Sequence, residues 1–134
     1  MSDLFLIDTS VWIEALRPDG LINAKEIVQK NIDGDRAVIA GIIMMELLGG
    51  AGTKKDYDEL KADLEALDYL ETTEQVWDKG AEVSFRLRKI GVTVPDTDIL
   101  IASIALTYNC TLIHMNSNFE LIGKYVDLKE RRVV

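Results

Sequence analysis

Three short apolar runs restrict the fold of this chain more than any other feature: Leu4-Phe5-Leu6-Ile7, residues 36–40 with Val38 and Ile39, and Thr111-Leu112-Ile113. Each is too short for a helix and reads as a buried strand. Between them the pattern changes period. Tyr57, Leu60, Leu64 and Leu67 recur at three or four residues, one amphipathic helix. Val76, Trp77, Gly80, Ala81, Ser84, Leu87 and Ile90 make another, with Gly91 as its stop. Residues 97–108 are apolar on nearly every side and predict a central buried helix, with Asn109 as a left-handed cap. Further helices are expected after the N-caps Asp8-Thr9-Ser10, over residues 22–30, over Ile42-Ile43-Met44-Met45-Glu46-Leu47-Leu48 up to Gly49-Gly50, and over 116–123. Residues 125–128 read as a last strand. Strands alternating with helices imply a parallel sheet covered on both faces. In such sheets ligands gather beyond the carboxyl ends of the strands.

With 134 residues, 48% of them hydrophobic, the chain suits one domain, residues 1–134, with a real core. One cysteine, Cys110, excludes an internal disulfide and reads as a small core residue. Trp12 and Trp77 are also expected in the core. The N-terminal stretch lacks the basic and long apolar regions of a signal peptide, and no run approaches a membrane span. A cytoplasmic protein without membrane contact is therefore expected. The formal charge of −8 counts against nucleic-acid binding driven by overall charge. An acidic cluster that holds divalent cations would add to that count while being neutralised in use.

The acids fall where the sheet rule points. Asp8 directly follows the first strand. Glu46 lies in an apolar helix after the second, with no Lys or Arg within a turn or two, and capping does not explain it. Asp96 and Asp98 open the central helix after Pro95, and Asn116 follows the strand 111–113, with Asn118 two residues on. Two carboxylates about 4 Å apart repel by about 4 kcal/mol at an effective dielectric near 20. A group of them needs a cation, and an all-oxygen ligand set favours Mg²⁺ or Mn²⁺ over zinc. Each residue also has a structural reading: Asp8 and Asp96 as N-caps, Asp98 in a favourable first turn, Asn116 and Asn118 as turn or cap residues. The run Arg86, Arg88 and Lys89 suits a helix C-terminus as well as RNA contact.

The ordered set Leu6-Ile7-Asp8-Thr9-Ser10-Val11-Trp12-Ile13, Met45-Glu46-Leu47, Pro95-Asp96-Thr97-Asp98-Ile99-Leu100-Ile101-Ala102-Ser103, and Thr111-Leu112-Ile113 with Asn116-Ser117-Asn118-Phe119 resembles the PIN domain, more narrowly the VapC-type toxins of toxin–antitoxin pairs. The resemblance implies a three-layer α/β/α sandwich around a short, mostly parallel sheet. It implies an Mg²⁺- or Mn²⁺-dependent endoribonuclease with Asp8, Glu46 and Asp98 as catalytic acids. Asp96 and Asn116 join them as metal ligands, and Thr9, Ser10, Arg86 and Asn118 serve as candidate substrate contacts. The family often carries acids where this chain has Asn116 and Asn118, and a Ser or Thr where it has Gly41. The resemblance also implies an RNA substrate, a homodimer, and a cognate antitoxin with a basic segment. The alternative is a PIN-like domain weakened at Asn116 that binds protein or RNA without cutting. A haloacid-dehalogenase phosphatase would need a second acid at Ser10, and a phosphorelay receiver an acid pair and a late Lys; neither pattern is present.

Overall fold

The computed structural model describes residues 3–134; Met1 and Ser2, the first two residues of the expected domain, lie outside them. Its core is a five-stranded sheet of β1 (Phe5–Ile7), β2 (Ala37–Ala40), β3 (Asp68–Leu70), β4 (Thr111–His114) and β5 (Glu130–Arg132). The spatial order is β3-β2-β1-β4-β5 and every pairing is parallel. The central strands are short because they are buried end to end; β1 and β2 present no exposed residue. Continuous Val/Ile/Leu runs are what two-sided burial demands.

Among the described residues seven helices cover the sheet: α1 (Thr9–Leu16), α2 (Ile22–Asp33), α3 (Gly41–Gly49), α4 (Lys54–Glu65), α5 (Glu74–Lys89), α6 (Asp96–Tyr108) and α7 (Ser117–Gly123). They fall into two groups, α1 to α4 packing among themselves and α5 to α7 likewise, in a sandwich of helices, sheet and helices. Helix α6 is the central helix expected from its apolar run; Ile101 to Ala105 are all buried. Asn109 ends it in the left-handed region at φ 56°. Chain order runs outward from β1 to β2 and β3, then returns across the sheet to β4. The order therefore reverses between β1 and β4, the place where open α/β sheets bind ligands.

Two expectations need correction, and one strand carried no sequence signal. Asp68–Leu70, to which the pattern assigned no element, is β3, a strand of three residues pairing with Val38–Ala40. Residues 125–128 form no strand; the last strand is Glu130–Arg132, pairing with Leu112–His114. Its charged residues hide it from a hydrophobicity-based reading, yet charge suits a sheet edge because it discourages pairing with another chain. Trp77 is 57% exposed, whereas Trp12 is buried as expected. Ala40 holds the N-cap position of α3 and Gly41 opens the helix. A Cβ at Gly41 would lie 2.6 Å from the Tyr69 hydroxyl, the tip of a half-exposed side chain that a larger residue would displace.

Candidate active site

The site forms at the carboxyl edge between β1 and β4. Asp8 leaves β1 with its amide bonded to the Ile113 carbonyl at 2.8 Å, so the chain stays in the sheet for one more residue before turning into α1. It caps that helix: Oδ2 accepts from the Ser10 amide at 3.1 Å and from the Ser10 hydroxyl at 2.6 Å. The same hydroxyl accepts from the Met115 amide at 3.1 Å and so ties the turn after β1 to the turn after β4. The capping reading of Asp8 and its place at the strand end are thus one arrangement.

Asp8 is 5% exposed and has no basic partner among the described residues. Burial pushes its carboxyl above the ordinary 3.8; the Ser10 bonds pull it down, and the charge of Asp98 adds to the rise. Asp98 thus stands near enough for the two carboxylates to repel. It lies in the first turn of α6, where Oδ2 accepts from the side-chain amides of Asn118 at 2.9 Å and Asn116 at 3.2 Å. Glu46 joins from the other side. Its Oε1 accepts the Thr9 hydroxyl at 2.7 Å, linking α3 to the residue next to Asp8.

The expected ligand set is narrower in the structure. Glu46 is exposed rather than buried among apolar neighbours; only Ile43 and Leu47 of α3 are buried. Among the described residues no three His, Cys, Asp or Glu side chains stand close enough together to hold an ion by themselves. Asp96 points out of the site: its side chain is 83% exposed and pairs with Arg88 at 3.7 Å. Two residues along a helix is about 200° of rotation, so Asp96 and Asp98 cannot share a face. Asn116 does not offer its oxygen, because Oδ1 caps α7 by accepting the Asn118 amide at 2.9 Å and Nδ2 is turned to Asp98. Arg86, a candidate substrate contact, donates to the Tyr125 carbonyl at 3.1 Å. Thr9, Ser10 and Asn118 are drawn into the carboxylate network itself.

The donors nevertheless fit a hard cation. Two mutually repelling carboxylates, one buried and with no basic partner among the described residues, form an oxygen-only set. Mg²⁺ keeps several waters and needs only one or two carboxylates, so a pair matches that donor count without a third. Sequence reading missed His114 and Glu130, which meet at 2.7 Å beside the Asn116 turn. The available signal was a lone histidine ending a strand two residues before Asn116.

Fold and site define an α/β domain with paired acids at its topological switch point. The chain belongs to the PIN domain family, whose model matches residues 5–125. It is 31% identical over 130 residues to the VapC ribonuclease Mb1587 of Mycobacterium bovis, an alignment covering 94% of this chain and 96% of that protein. Ribonuclease VapC2 of Rickettsia felis is 28% identical over 119 residues, covering 84% and 87%. Among solved structures, VapBC2 of Rickettsia felis bound to a promoter DNA fragment superposes with a TM-score of 0.81 at 18% identity, over 98% of this chain and 99% of that one. FitAcB of Neisseria gonorrhoeae gives 0.77 at 21% identity, over 95% and 96%. At these identities the solved structures speak for the fold.

Proposed function

We propose that this protein is a divalent-metal-dependent endoribonuclease, the toxin of a toxin–antitoxin pair. One observation carries the reading: Asp8 and Asp98 repel each other at the β1/β4 switch point, and among the described residues neither has a basic partner. Its nearest support is the run of VapC ribonucleases among the relatives. In this reading Asp8 and Asp98 hold Mg²⁺ or Mn²⁺. The cation, when bound, would supply Lewis-acid stabilisation of the phosphate and acidify a water. The chain's own residues do the rest. Ser10 and the two asparagines fix the carboxylates, so little reorganisation is needed as charge develops. Glu46, with Oε1 held by Thr9, has Oε2 left to accept a proton or a hydrogen bond from water at the exposed mouth. Thr9, Ser10 and Asn118 act through the acids rather than as separate contacts to RNA.

Two partner proposals belong to the same reading. The solved structures that share the fold include a toxin–antitoxin complex from Klebsiella pneumoniae, and a net charge of −8 suits an antitoxin with a basic segment. A homodimer is the second, with the exposed Trp77 and Phe85 of α5 as apolar residues for its contact to cover. No described helix is long and apolar enough to cross a membrane.

The test incubates the protein with structured and unstructured RNAs in Mn²⁺, Mg²⁺ or EDTA, beside Asp8→Asn. Cleavage that needs the metal and is lost in Asp8→Asn is expected. Equal cleavage by both proteins would overturn the assignment. A second reading, a module that binds without cutting, draws on the two asparagine amides that already occupy Asp98 Oδ2. Metal-dependent thermal stabilisation with no cleavage would favour it.

A further inference from the structure

His114 is the chain's one histidine and is wholly buried at the carboxyl end of β4. Both ring nitrogens are engaged. The Asn116 amide donates to Nδ1 at 3.1 Å, and Nε2 lies 2.7 Å from Glu130 Oε1 on β5. A backbone amide can only donate, so Nδ1 presents its lone pair and the ring proton sits on Nε2, donated to the carboxylate. The contact to Glu130 is therefore a hydrogen bond of a neutral ring. Phe119 braces the imidazole from the side, with ring centroids 5.3 Å apart.

The turn that His114 holds is the one that reaches Asp98. The Asn116 backbone is fixed by the imidazole, its Oδ1 by the Asn118 amide, and its Nδ2 faces Asp98 Oδ2. Asn118 Nδ2 reaches the same oxygen. Rotation of the Asn116 peptide would carry both amides off the carboxylate. We propose that His114, tethered by Glu130, is a positioning residue: its Nδ1 fixes the Asn116 turn and thereby the two asparagine amides on Asp98. A histidine with only a packing role would leave that turn free to find its own geometry.

The consequence for cleavage rests on the nuclease reading; the positioning itself does not, and the experiment separates them. Nitrogen-15 spectra of the imidazole, taken without RNA or metal, report the tautomer, and side-chain amide cross-peaks report Asn116 and Asn118. His114→Asn keeps an acceptor close to the place of Nδ1, whereas His114→Gln keeps a donor close to that of Nε2 and loses the acceptor. We expect the Nε2–H tautomer in the wild type, and asparagine cross-peaks that stay in place in His114→Asn and move in His114→Gln. For cleavage, kcat should fall about 10- to 100-fold in His114→Gln with KM changed less than about twofold, and His114→Asn should recover most of it. A ring protonated on Nδ1, or identical asparagine spectra in the two variants, overturns the proposal. If the wild type cuts no RNA, the nuclease reading falls and the asparagine cross-peaks still decide the positioning. Should His114→Asn not fold, Glu130→Ala takes its place. It frees the ring and should shift the Asn116 amide; an unmoved amide there also overturns the proposal.

Discussion

The two halves of the acidic site are built by opposite means. On the β1/β4 side, Asp8 is buried, takes two bonds from Ser10, and sits where two parallel strands end together. Asp98 beside it receives two asparagine amides. On the α3 side, Glu46 is exposed and is held by one hydroxyl, that of Thr9. The β1/β4 half is electrostatically loaded; the exposed half is lightly tethered. Burial raises the energy of a carboxylate while exposure leaves it solvated, so a cation gains most where the carboxylates are driest. Under the proposed nuclease reading the halves would take separate tasks, holding a cation on one side and handling water on the other.

That contrast can be broken in several ways. The largest effect should come from Asp8→Asn, which is expected to lower cleavage about a thousandfold or more. The same change should stabilise the fold. A carboxyl whose pKa is higher folded than unfolded favours the fold when protonated. As pH rises past the ordinary 3.8 the unfolded chain ionises first, so stability falls up to the raised folded value and stays lower above it. Asp8→Asn removes that loss, and its amide oxygen can still accept from Ser10. Melting curves at pH 7 should place it several degrees above the wild type, with the gap closing as pH falls below 3.8. A variant no more stable than wild type at pH 7 would show that Asp8 is not under electrostatic strain.

Next in size is the response to metal. Saturating Mn²⁺ should raise the wild-type melting temperature by several degrees, since about 2.7 kcal/mol is gained at a hundred times Kd. Asp8→Asn should respond little. Asn116→Asp sharpens the same point by setting a third acid against Asp98. It should melt lower than wild type in EDTA and show a larger gain with Mn²⁺; equal curves in EDTA would mean the new acid does not meet Asp98.

Smaller again is Thr9→Val, which releases Glu46 without touching Asp8 or Asp98. A loss in kcat of about tenfold, with an unchanged Mn²⁺ shift, is expected. If the metal response fell as well, the two halves would not be separable. Smallest is Asp96→Asn. The side chain faces solvent and Arg88, so cleavage should stay within about twofold and melting within about a degree. A large loss there would return Asp96 to the ligand set.

Much of this arrangement was legible in the residues. Asp8 stands directly after an apolar strand, so its position at the sheet edge follows from chain continuity alone. Asn109 as a left-handed cap, Asp98 in the first turn of α6, and Asn116 after β4 are equally local facts. Where the reading failed, the deciding contacts lay far off in sequence. Glu46 looked buried because its neighbours are apolar, yet α3 has only Ile43 and Leu47 inward and leaves Met45 65% exposed. Trp77 was misplaced for the same reason, since periodicity locates an apolar stripe but not the width of the surface it meets. Strand β5 was missed because an edge strand needs backbone partners rather than apolar side chains.

By itself, then, the amino-acid order determined the alternation of strands and helices, the parallel sheet, and the acids that stand at its carboxyl edge. These depend on neighbours within a turn or a strand, where geometry is fixed by the backbone. Tertiary packing alone decided that Glu46 bonds to Thr9, that two asparagines turn their amides on Asp98, that Asp96 faces away, and that His114 links β5 to the Asn116 turn. Such pairings depend on a hydrogen-bond reach of about 3 Å between elements distant in the chain. No pattern along one dimension encodes that distance.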